Sequence, residues 1–188
     1  MVESFPVPPG KPEFGPSGKR IIYDKDGKPC KTCNTLLDFR MASGKKTTPS
    51  SVPFATAAGL ATTVSTNTKK ENDGYKDCPP DSELLGKSTW TLLHSIAATY
   101  PEKPTAPEQE NLQTFIRSFS KLYPCWFCAE DFREYIKNEK PKVTNRDEFG
   151  KWLCDAHNAV NVKIGKPKFD CNLWKERWKD GWKDGRCD

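Results

Sequence analysis

A chain of 188 residues with 35% hydrophobic positions has room for one ordinary domain and a further stretch that stays unpacked. Its 30 basic and 25 acidic residues leave a net charge of +5, and lysines such as Lys179 and Lys183 alternate with Asp180 and Asp184. That mixed surface lacks the basic stripe that tracks a nucleic acid, so no nucleic-acid partner is expected.

Eight cysteines point to disulfides or metal. Yet the first forty residues hold no apolar h-region, and Glu3, Glu13 and several prolines argue against an Arg-rich transit peptide. The most apolar internal stretch, 51–64, is short and rich in Thr, so no membrane span is expected. Disulfide chemistry without a secretory signal calls for an explanation.

Three regions follow one another along the chain. Residues 1–40 are rich in Pro and Gly and carry one compact motif, Lys28-Pro29-Cys30-Lys31-Thr32-Cys33, followed by Asn34-Thr35-Leu36-Leu37-Asp38-Phe39. Residues 41–76 hold eleven Ser and Thr in thirty-six positions and show no helical or strand period, the pattern of a flexible linker. Residues 77–188 contain all six tryptophans and form the expected folded domain.

Within that domain, Pro79-Pro80-Asp81 leads into a segment with Leu85, Leu92, Leu93, Ile96 and Tyr100 on one helical face, stopped by Pro101. Thr105 and Glu108 stand in capping-box spacing with Pro107 in the first turn, ahead of an apolar stripe of Leu112, Phe115, Ile116, Phe119 and Leu122. A third helix is expected from about Trp126 to Asn138. A fourth starts with Asn145 and Glu148 as cap partners, buries Phe149, Trp152, Leu153, Ala156 and Val160, and ends at Gly165-Lys166-Pro167. A short fifth fits Asn172 to Lys179. No run alternates as a strand does, so the fold class is all-α: a four-helix bundle plus a short fifth helix, preceded by a disordered N-terminal arm.

Cys125-x-x-Cys128 opens the third helix directly after Pro124. Exposed N–H groups and the helix dipole stabilise a thiolate at such a position, and the thiolate is the attacking species in thiol–disulfide exchange. Redox work, a static disulfide and half a zinc site all remain compatible with an isolated CxxC. Cys125, Cys128, Cys154 and His157 together make a legal tetrahedral zinc set, the basis of an alternative reading as a zinc-stabilised interaction module. It spaces its two pairs widely and leaves Cys171 alone. Cys30-x-x-Cys33 sits on the tether, where about 44 residues give a reach of roughly 35–40 Å, enough for a mobile dithiol to visit Cys125. His94 and His157 are the only histidines. A lone helical His is more often a packed residue than a ligand, and Trp174, Trp178 and Trp182 at i, i+4, i+8 read first as a packing stripe.

Several ordered stretches resemble the Erv/ALR flavin-linked sulfhydryl oxidases. They are Cys78-Pro79-Pro80-Asp81, Leu85-Gly86-Lys87-Ser88-Thr89-Trp90-Thr91-Leu92-Leu93-His94-Ser95 and Tyr123-Pro124-Cys125-Trp126-Phe127-Cys128-Ala129-Glu130-Asp131. Cys154-Asp155-Ala156-His157-Asn158-Ala159-Val160-Asn161, Lys166-Pro167-Lys168-Phe169-Asp170-Cys171 and Arg177-Trp178-Lys179-Asp180-Gly181-Trp182 continue in family order. The arm, through Arg20-Ile21-Ile22-Tyr23-Asp24 and the Cys30/Cys33 motif, resembles that of the long mitochondrial members, which enter the intermembrane space without a cleaved presequence.

The resemblance implies a flavoprotein thiol oxidase of the mitochondrial intermembrane space. A Mia-type disulfide carrier passes electrons to Cys30–Cys33, these reduce Cys125–Cys128, and Cys128 hands the pair to FAD, with oxygen or cytochrome c as final acceptor. It implies FAD contacts from Gly86, Lys87, Trp90, His94, Tyr100, Glu130, His157, Asn158, Asn161, Lys163, Lys166, Phe169, Arg177 and Trp178. Many relatives have Arg in place of Lys87, and a lysine lacks the bidentate fork. The resemblance further implies a structural Cys154–Cys171 bridge, worth roughly 3 kcal/mol in the chain-entropy model, and Cys78–Cys187 bridges between the subunits of a homodimer.

Overall fold

The computed structural model describes residues 6–44 and 78–187. The expected linker, 41–76, falls almost wholly outside these residues. Among the described residues the molecule is helical, with only two isolated antiparallel bridges, Phe14 with Arg20 and Tyr23 with Pro29. No described helix is long and apolar enough to cross a membrane.

The described residues form five α-helices: α1 (Leu36–Ala42), α2 (Ser82–Thr99), α3 (Ala106–Leu122), α4 (Trp126–Asn138) and α5 (Arg146–Lys163). Each starts where a side chain takes up an orphan backbone N–H. Asp81 accepts from Leu84 N at α2, Thr105 and Glu108 close a full capping box at α3, and Asn145 accepts from Glu148 N at α5. The cap of α4 is Cys125, whose sulfur accepts from Cys128 N.

The core is built by α2, α3 and α5 around Leu93, Ala97, Leu112, Ile116, Phe149, Trp152 and Leu153, with Phe132 and Tyr135 of α4 packed against it. Tyr100 belongs to this cluster and donates its hydroxyl proton to Val143 O at 2.9 Å. The expected stripes err at Leu92 and Leu122, which are 57% and 80% exposed. The helix pairs around them bury a narrower face than the full apolar pattern offers.

The expected short fifth helix over Asn172–Lys179 is present with an irregular pitch: a 3₁₀ turn, Cys171–Leu173, runs through Trp174 and Lys175 into a π-helical turn, Glu176–Asp180. The Cys154–Cys171 bridge fixes its start, and Trp174, 1% exposed, is pressed onto Gly150 of α5. These two anchors set the pitch, and Gly181 ends the turn at φ +83°.

Residues 6–44 are more ordered than their composition suggests. Ile21, Tyr23 and Ala42 form a small second core, with Val7 and Met41 packed on it. Two buried polar side chains complete it. Asn34 bonds both the N–H and C=O of Ile22, and Asp38 accepts from Ser17 N and from the hydroxyls of Ser17 and Thr35. Hydrogen bonding holds the Asp38 carboxyl below its usual range against the opposing effect of burial, the largest single influence. Composition alone predicts no helix here, yet α1 forms and is capped by Thr35, which accepts from Asp38 N.

Candidate active site

Two disulfides lie near the junction between the arm and the helical domain, where Thr32 Oγ1 donates to Pro124 O. Cys30–Cys33 brackets a 3₁₀ turn, Lys31–Cys33, and Cys125–Cys128 spans the start of α4. Cys125 is fully buried, and its Sγ lies 3.2 Å from Cys128 N. That N–H and the positive end of α4 favour negative charge on the Cys125 sulfur. Cys33 and Cys128 both border a cavity of about 1170 Å³ that runs from the arm along α2 and α5 to the C-terminal turn.

The helices deliver the cavity wall from three directions. α2 brings Gly86, Lys87, Trp90 and His94; α5 brings His157, Asn158, Asn161 and Lys163; the closing segment brings Lys166, Phe169, Arg177 and Trp178. Two of the positions implied by the family resemblance lie elsewhere: Tyr100 is turned into the core, and exposed Glu130 is absent from the cavity wall. Tyr100 closes the apolar stripe of α2, so its place in the core follows the helical period.

Inside, four rings form a ladder. His157 stacks on Trp90 at 4.1 Å and His94 on Trp178 at 4.3 Å, each pair 5° from parallel. The two imidazoles share one hydrogen bond, His94 Nε2 to His157 Nδ1, at 3.0 Å. Burial, then the neighbouring His157 and Arg177, push His94 down to about 3. Burial, then Lys166 and Arg177, push His157 down to about 4. Both rings are therefore neutral at physiological pH, and positive charge on this wall comes from Lys and Arg. Arg177 lies over the Trp178 ring at 4.4 Å, while Lys163 pairs with Asp131.

Asn158 fixes the closing segment. It accepts from Phe169 N and donates to Phe169 O, both at 2.8 Å, beside the Cys154–Cys171 bridge. The zinc set does not form, because its three cysteines are spent in two separate disulfides. Cys78 and Cys187 are free and exposed. Sequence reasoning missed Asp81, Asn34 and Thr32, which join the arm to the helical domain; the first was read only as a lead into the helix.

A cavity with an aromatic wall, cationic side chains and a buried, unpartnered His94 Nδ1 suits a large planar ligand bearing an anionic tail. The chain belongs to the Erv1 / Alr family, whose sequence profile matches residues 87–179. It is 48% identical over 171 residues to the Saccharomyces cerevisiae mitochondrial FAD-linked sulfhydryl oxidase ERV1, covering 88% of this chain and 90% of that protein. The Schizosaccharomyces pombe mitochondrial FAD-linked sulfhydryl oxidase erv1 is 39% identical, covering 84% and 90% respectively. Among solved structures, the yeast Erv1 core superposes with a TM-score of 0.56 at 51% identity, covering 62% of this chain and 98% of that one. The FAD binding domain of Saccharomyces cerevisiae Erv1 gives 0.54 at 54% identity, covering 55% and 99%.

Proposed function

We propose that this chain is a mitochondrial FAD-linked thiol oxidase that makes disulfides in a carrier protein of the Mia type in the intermembrane space. The observation that carries the reading is the Cys125–Cys128 disulfide at a helix start, with Cys128 on the wall of a cavity suited to FAD. When bound, FAD supplies the means to take an electron pair from a dithiol and pass it to oxygen or cytochrome c.

The chain's own residues divide the remaining work. Trp90, His94, His157 and Trp178 offer flat faces for the ring systems, and Lys87, Lys166 and Arg177 offer charge for the diphosphate. Neutral imidazoles can bond polar ring atoms without adding charge beside them. At the disulfide, an incoming thiolate bonds the Cys125 sulfur and releases Cys128 as a thiolate. When the second incoming thiolate resolves the mixed disulfide, the Cys128 N–H and the α4 dipole stabilise the charge left on Cys125. The Cys30–Cys33 pair is the entrance for protein clients. It takes two electrons from the client's dithiol and gives them to Cys125–Cys128.

The protein is further proposed to act as a homodimer, with Cys78 and Cys187 bridging subunits. Exposed Leu122 and the apolar groove between α2 and α3, lined by Leu85, Phe115 and Phe119, support that face.

The test is oxygen consumption by the purified yellow protein with dithiothreitol. Cys125→Ser and Cys128→Ser should each reduce turnover to background while retaining FAD, as read from visible absorbance. Undiminished dithiol oxidation in either variant defeats the assignment.

A further inference from the structure

Thr32 lies between Cys30 and Cys33. Its Oγ1 is 3.6 Å from Cys30 Sγ and donates to Pro124 O at 3.2 Å, one peptide unit before Cys125. A single hydroxyl therefore touches one cysteine pair and the chain leading into the other.

A second attachment follows immediately after Cys33. Asn34 O accepts from Ser82 N at 3.2 Å. The Asn34 side chain is spent inside the arm, donating to Cys30 O at 2.6 Å and to Ile22 O at 2.8 Å. It thereby holds the turn that carries the disulfide in a fixed relation to the backbone atom that meets α2.

The third attachment is Asp81. One carboxylate oxygen caps α2 by accepting from Leu84 N at 2.9 Å, and the other accepts from Leu36 N, the first residue of α1, at 3.1 Å. One side chain thus ties together the starts of two helices, one from each part of the molecule. The Lys19–Glu83 pair at 4.0 Å lies nearby but is exposed on both sides and adds little. On the arm the contacts fall at residues 32, 34 and 36, and on the helical domain at 124, 82 and 81.

We propose that Thr32, Asn34 and Asp81 form a clasp that seats Cys30–Cys33 against Cys125–Cys128, making them positioning residues for exchange between the two pairs. The inference rests on the reading of the arm as the entrance for client electrons. In the exchange, a thiolate of the reduced arm bonds one sulfur of Cys125–Cys128 and releases the other as a thiolate. The second arm thiolate then attacks the mixed disulfide. Cys30–Cys33 is oxidised, Cys125/Cys128 is reduced, and two electrons and two protons change places. Holding the partners together removes the entropic cost of their encounter. The three contacts are hydrogen bonds, each weak enough to break when the arm leaves to meet a client.

The test uses full-length holoprotein with Cys128→Ser and one arm cysteine, Cys30 or Cys33, also replaced by Ser. The protein is reduced, freed of reductant and treated with diamide, which takes up the two electrons and two protons. The rate of crosslinking between the remaining arm thiol and Cys125 is followed by non-reducing electrophoresis and mass mapping. Thr32→Val removes the hydroxyl at nearly constant volume. Asp81→Asn retains a good helix cap but sets an amide N–H₂ against one of the two backbone donors.

Each substitution should slow crosslinking about fivefold, the effect of one lost hydrogen bond. Thr32→Ser should restore the parent rate. In the otherwise native chain, neither Thr32→Val nor Asp81→Asn should change dithiothreitol oxidation, which goes directly to Cys125–Cys128. Unchanged crosslinking in both variants, or Thr32→Ser as slow as Thr32→Val, overturns the clasp. Absence of any crosslink in the parent, with either arm thiol, overturns the entrance reading together with it.

Discussion

At the residue scale, the His94–His157 pair ties stability to pH. Each ring titrates near 6.5 when unfolded but at about 3 or 4 when folded, so below pH 6.5 the unfolded chain takes up protons the fold refuses. Stability is therefore full above that pH and falls as pH drops towards 4. Urea midpoints at pH 7 and pH 5 should show the loss, and His94→Gln should show a smaller one; an equal loss in the variant would place the effect elsewhere. Gly150 makes a steric prediction. A Cβ there would stand 2.6 Å from the Trp174 ring, and such overpacking outweighs the gain of alanine in a helix. Gly150→Ala should cost about 1–2 kcal/mol, lowering Tm by roughly 5–10 °C in a thermal melt.

At the scale of elements, α2 to α5 are legible in the sequence because each carries both a stripe and a cap. Thr105 with Glu108, and Asn145 with Glu148, mark their helices by local chemistry alone. The closing segment is less legible. Its pitch depends on the Cys154–Cys171 bridge and on the seat of Trp174 over Gly150, and neither is a local property. The arm is least legible, because Asn34 and Asp38, which organise it, are residue types that ordinarily mark loops. Its Thr35-x-x-Asp38 spacing was the available signal for α1. For the site, spacing alone leaves Cys125-x-x-Cys128 ambiguous between redox pair and zinc half-site. The cavity beside Cys128 supports the redox reading that the spacing leaves open.

At the scale of the whole molecule, the arm and the helical domain have separate cores, and among the described residues hydrogen bonds from Thr32, Leu36 and Ser82 join them. Deleting residues 1–76 should therefore leave the helical domain folded and dithiothreitol oxidation intact, while oxidation of a reduced protein client is lost. Equal loss of both activities would contradict the division of labour. The proposed Cys78–Cys187 bridges between subunits, whose cysteines are both exposed, predict a covalent dimer on non-reducing gels that Cys187→Ser abolishes.

The Cys154–Cys171 bridge has a temporal consequence. It joins α5, which supplies one wall of the cavity, to the segment that ends in Arg177 and Trp178, which supplies another. The bridge limits how far these walls can part around a ligand held between them. Residence time, more than affinity, is the quantity it should set. Cys171→Ser protein should bind FAD and then shed it faster on dilution into flavin-free buffer, seen as rising fluorescence of released flavin.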